Sequence, residues 1–84
     1  MFEYYFTFST LAAAQLAMKV LNHFSVPCRI VLTPAALQLQ GRGQSIVVRS
    51  GYYIQARDEL DRLKLPYRHI FCRLVDGSFE EVIP

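Results

Sequence analysis

The hydrophobic and polar positions fall into two kinds of period along the chain. Residues 2–8, FEYYFTF, interleave aromatic and polar side chains and predict a strand. The alanine-rich run Leu11–Phe24 carries a polar stripe at Gln15, Lys19, Asn22 and His23. Ala13, Ala17, Val20, Leu21 and Phe24 are thereby left for a buried face, and Ser9 is the expected N-cap. CRIVLT (28–33) and SIVVRS (45–50) read as the second and third strands. Gly51 then opens a helix over 52–64, with Tyr53, Ala56, Leu60 and Leu63 at spacings of 3, 4 and 3. RHIFCRLV (68–75) is a fourth strand. Asp76–Gly77 is a type I′ hairpin signal, so SFEEVI (78–83) adds a short fifth strand beside the fourth or pairs with another chain.

The chain also repeats itself at an offset of 39. FSVPCRIVL (24–32) aligns with LKLPYRHIF (63–71), which matches Val26 to Leu65, Pro27 to Pro66, Arg29 to Arg68 and Val31 to Ile70. Ala17 and Leu21 match Ala56 and Leu60 upstream. Each copy reads strand, helix, proline, strand. Two such units imply an α+β, ferredoxin-like βαββαβ sandwich: an antiparallel sheet with two helices on one face. One domain is expected over 1–84, with a terminal hairpin at 76–84.

Strand period 2 sorts the side chains. Tyr4, Phe6, Phe8, Cys28, Ile30, Leu32, Ile46, Val48, Ile70, Cys72 and Leu74 share one apolar face, expected under the helices. Glu3, Tyr5, Thr7, Arg29, Val31, Val47, Arg49, His69, Phe71 and Arg73 share the other. There arginines alternate with aromatic and aliphatic groups, so Tyr5, Arg29, Arg49, Phe71 and Arg73 are candidate contacts for a partner or for stacked bases. The RNA-recognition motif of a third strand begins well at Arg42–Gly43. Its three aromatic places, however, hold Gln44, Ile46 and Arg49, so nucleic acid ranks last among the binding readings.

Composition changes this picture modestly. The 84 residues are 52% hydrophobic, a surplus that small chains often hide in a homodimer interface. A net charge of +2 is too weak to argue for nucleic acid. The N-terminus lacks a basic region and cleavage site, and no apolar run reaches a membrane span, so a cytoplasmic protein is expected. Cys28 and Cys72 read as buried thiols on strands at opposite edges, out of disulfide reach. His23 and His69 have no Cys or carboxylate at ligand spacing, so no metal or other cofactor is expected. Asp58, Glu59 and Asp61 read as a solvated helix face. No motif for catalysis stands out, and an enzyme is not expected. The loop LQLQGRG precedes a strand, not a helix, so it is no phosphate loop, though Arg42 between Gly41 and Gly43 is a candidate anion contact.

The FTF strand, Ser-capped helix, VPCRIVLTP, glycine-ended loop, SIVVR and LPYRHIF together resemble the DUF3343 family over about residues 4–73. That family is described as selenium/sulfur carrier proteins. The resemblance implies that the loop after Thr33–Pro34 should end in Ser-Cys-Gly, its cysteine carrying sulfur or selenium as a persulfide. Gly43 matches the glycine, but Arg42 stands where the cysteine belongs. The resemblance therefore implies a degenerate carrier, or one using Cys28 or Cys72, with a protein partner in sulfur or selenium trafficking. The alternative is a non-catalytic binding or regulatory module in which Arg42 with Arg49 meets an anionic ligand or protein partner.

Overall fold

The computed structural model describes residues 2–37 and 43–82. Its elements run β1 (Glu3–Phe8), α1 (Leu11–His23), β2 (Arg29–Leu32), β3 (Gln44–Arg49), α2 (Tyr53–Arg62), β4 (Ile70–Arg73) and β5 (Phe79–Glu81). Short 3₁₀ turns at Ala35–Leu37 and Ser50–Tyr52 precede the loop and α2. The strands form one sheet in the order β2-β3-β1-β4-β5, every neighbouring pair antiparallel. With both helices packed on one face, this is the ferredoxin-like βαββαβ sandwich plus a fifth strand. β2 is an edge strand as expected; β5 covers the side of β4 that would otherwise be the other edge.

The main core lies between sheet and helices. Phe6, Phe8, Ile46 and Val48 meet Ala14, Ala17, Leu21, Ala56 and Leu60, all nearly inaccessible to solvent. Burying each large side chain stabilises the fold by roughly 1.5–3 kcal/mol. Alanine at 14, 17 and 56 lets the helices approach closely.

The repeat at offset 39 appears in the helix ends. After α1, Val26 N donates to Leu21 O (2.8 Å) and Ser25 N to Asn22 O (3.0 Å). After α2, Leu65 N donates to Leu60 O (2.9 Å) and Lys64 N to Asp61 O (3.1 Å). Both are Schellman caps. Ser25 (φ 62°) and Lys64 (φ 54°) occupy the left-handed position that glycine usually takes.

Several expectations are corrected. The N-cap of α1 is Thr10, whose hydroxyl accepts from Ala13 N (3.1 Å); Ser9 instead accepts from Arg68 Nη1 (2.9 Å). Leu32, expected under the helices, is 70% exposed because it ends the edge strand, while Leu63 lies on the surface at the end of α2. Ala14, not singled out by the periodicity, is fully buried. The hairpin at Asp76–Gly77 is not type I′, which would need a positive φ at Asp76. Gly77 alone of the turn residues is left-handed (φ 87°), with Gly77 N donating to Leu74 O (3.0 Å) and Leu74 N to Ser78 O (2.8 Å). That is a type I turn closed by a glycine bulge. Asp76 Oδ1 accepts from Ser78 N (2.9 Å) and Ser78 Oγ (2.6 Å), which fixes the turn and lowers the Asp76 pKa.

Candidate functional site

The face away from the helices is not uniformly open. Tyr5, Val47, Phe71 and Leu37 form a second buried cluster, with Val31 and Phe79 packed against it. Phe79 arrives on β5 and meets Tyr5 edge-on, ring centroids 5.2 Å apart. Tyr5 and Phe71 are each only 6% exposed. They were candidate contacts, but both are covered. A stacked base needs an open aromatic face, and neither ring offers one.

The arginines of that face are exposed, and register gathers them. Arg49 on β3 and Arg73 on β4 are both direct cross-strand partners of Glu3 on β1. Arg29 on β2 reaches across β3 to place Nη1 3.1 Å from Glu3 Oε2. Arg73 Nη1 lies 3.7 Å from Glu3 Oε1. Arg49 makes no ion pair among the described residues. Two guanidinium groups therefore share one carboxylate, and a third, Arg49, stands at the register position opposite it without an ion pair among the described residues. The Arg29 and Arg73 side chains are about half exposed, so each pair adds at most ~1 kcal/mol to stability. The surplus of two positive charges is the more consequential property. Guanidinium forks bind carboxylates and phosphates through paired N–H donors.

A cleft lies at each end of this row. One, about 270 Å³, is lined by Pro27, Cys28, Arg29, Val47 and Arg49. The other, about 300 Å³, is lined by Glu3, Arg73, Leu74 and Val75. Cys28 is half-buried at the wall of the first, its thiol 3.8 Å from Asn22 Oδ1. Burial pushes that thiol above its ordinary pKa, so it stays protonated near neutrality. Cys72 is buried under the sheet. Both thiols are free.

The described loop candidates, Thr33, Pro34 and Gly43, lie at the other end of the sheet. Gly41 and Arg42 fall outside the described residues. Gly43 is required by close approach: a Cβ there would sit 2.5 Å from Phe8 O. Thr33 is buried, its N–H bonded to Gly43 O (3.0 Å) and its hydroxyl to Ser45 Oγ (2.7 Å). Pro34 O accepts from Leu37 N (2.8 Å). Thr33, Pro34 and Gly43 thus anchor the loop to the sheet. β3 separates Gly43, before its first residue, from Arg49, its last, by six residue steps of about 3.3 Å.

His69 pairs with Glu81 (Nδ1 to Oε2, 3.1 Å), and His23 stands edge-on to Phe24. No group of three or more His, Cys, Asp or Glu suited to a metal ion occurs among the described residues, and no helix there is long and apolar enough to cross a membrane. Glu3 was on the expected face but was not singled out. The signal was its place on the same face as the arginines; the missing quantity was strand register. Comparison with family models, curated proteins and solved structures returns no significant match.

Proposed function

We propose that the protein is a non-catalytic binding module that takes an anionic group on the arginine row. The observation that carries this is the row of Arg29, Arg49 and Arg73 beside Glu3, which pairs with Arg29 and Arg73 and leaves Arg49 without an ion pair among the described residues. A phosphate or carboxylate between Arg49 and its neighbours would neutralise the surplus charge. Glu3 holds the flanking guanidinium groups in place without satisfying them all. In this reading the partner is an anionic small molecule or an acidic protein surface, met by a soluble cytoplasmic protein.

The carrier reading has less support. It needs an accessible thiolate, and the residue matching the carrier position is Arg42. Cys28 is held protonated by burial. Alkylation by iodoacetamide at neutral pH should therefore be slower at Cys28 than for free cysteine, measured by intact mass with Cys72→Ser as background. A faster rate would restore the carrier reading.

The binding reading is tested with inorganic phosphate at constant ionic strength, following the arginine Nε resonances. Saturable shifts are expected at Arg29, Arg49 and Arg73. Arg49→Ala should weaken binding about fivefold or more, the loss of one charge-assisted contact. Shifts of equal size at Arg57 and Arg62, without saturation, would reduce the effect to general screening and sink the proposal.

A further inference from the structure

A second surface lies on the opposite side of the molecule, on the helices. Leu16, Val20 and Phe24 recur every four residues along α1 and its cap, an apolar strip about 12 Å long. Leu63, at the end of α2, continues it. Leu16 is 51% and Leu63 45% exposed, large fractions for leucines with a core available beneath them. Val20, Phe24 and Leu63 floor a shallow groove of about 320 Å³, whose remaining lining is Lys19, His23 and Arg62. Lys19 and His23 stand four residues apart on α1, one turn above the other. Arg62 lies across from them, its guanidinium 5.2 Å from the Phe24 ring centroid. Arg62 also pairs with Glu59. The cation left without an ion pair among the described residues is Lys19, joined by His23 when protonated.

We propose that this groove docks an acidic amphipathic segment of a protein partner. An apolar anchor residue would enter between Val20, Phe24 and Leu63, and carboxylates would lie along Lys19 and His23. Two features favour a peptide over other occupants. The groove is open along its length, so it cannot enclose a small amphiphile as ligand pockets do; a partner chain brings its own outer wall. The positive α1 rim also disfavours a second copy apposed by symmetry, which would set Lys19 near its own counterpart.

The test uses fluorescently labelled ten-residue peptides with one leucine or phenylalanine between glutamate pairs, read by anisotropy against the full chain. Counterparts with lysine flanks or a glycine anchor serve as controls. Saturable binding is expected for the glutamate peptides only, weakened about tenfold by Lys19→Glu and by Leu63→Ser. Both positions are exposed, so thermal melts of the variants should match the parent. Arg49→Ala on the sheet face should leave this binding unchanged, which separates the groove from the arginine row. Binding lost in Arg49→Ala and kept in Lys19→Glu would overturn the proposal. So would equal binding of lysine peptides, absence of binding at millimolar protein, binding only to phosphatidylserine vesicles, or self-association abolished by Leu63→Ser.

Discussion

Tyr67 follows Pro66 in the stretch that leads from α2 to β4, and its hydroxyl donates to Asp61 on the helix. Its ring stands edge-on to Phe6 in the core, centroids 5.5 Å apart. Burial foremost, and then the Asp61 carboxylate, push its pKa up from 10.0 to about 12. A raised folded-state pKa means that the neutral phenol favours folding. Its contribution is complete below pH about 10 and is lost as pH rises through about 12. Ultraviolet titration should show one tyrosine ionising near 12, and Asp61→Asn should bring it down. An unchanged midpoint in that variant would mean Asp61 is not a cause. Residue chemistry of this kind was only partly legible beforehand. Asp61 read as solvated, because spacing alone places it on the outer face of α2; that Tyr67 folds back to it is a property of the connection. Gly43 is similar. A glycine before a strand suggests a turn, but the need for it comes from Phe8 O on another strand.

At the scale of elements, the helices end alike because the sequence repeats. Ala17 and Ala56, Leu21 and Leu60, and Val26 and Leu65 are equivalent in sequence and in packing, and the two Schellman caps reuse the same hydrogen bonds. Neither copy has glycine at the left-handed position, so both carry a backbone cost. Ser25→Gly and Lys64→Gly should each raise stability by about 0.5–1 kcal/mol, net of the extra freedom glycine gives the unfolded chain. The sites are in separate caps, so the double variant should show the sum in urea unfolding. A loss of stability in either would mean the left-handed conformation is not populated there. The elements and their order were readable from periodicity, with ends displaced by a residue or two. The turn after β4 was not: Asp-Gly suits several hairpin types, and the choice follows from which pair of residues closes the ladder.

For the whole molecule, the sheet carries a core on each face. The larger lies under the helices; the smaller is roofed by Leu37 and Phe79. Phe79→Ala should cost about 1–2 kcal/mol, less than a fully buried phenylalanine because its side chain is partly exposed. It should also uncover Tyr5. Val75→Ser, at a residue 85% exposed, should be neutral in the same denaturation experiment. Equal effects would mean that β5 does not close the face.

The alternation of apolar and polar residues, the two proline-marked repeats and the turn signals were enough to imply two helices over an antiparallel sheet. These depend on local period and on burying one face of each element, and both are written along the chain. The same alternation put Arg29, Arg49 and Arg73 on one face. Three further facts required the tertiary structure: that Arg29 and Arg73 pair with Glu3 while Arg49 stands opposite it, that Tyr5 and Phe71 are covered, and that Leu32 lies outside the core. Period 2 says which way a side chain points, but not which residue stands opposite it or how far the neighbouring layer extends. Register, strand order and the path of the C-terminal strand decide those, and each arises from contacts between residues far apart in sequence.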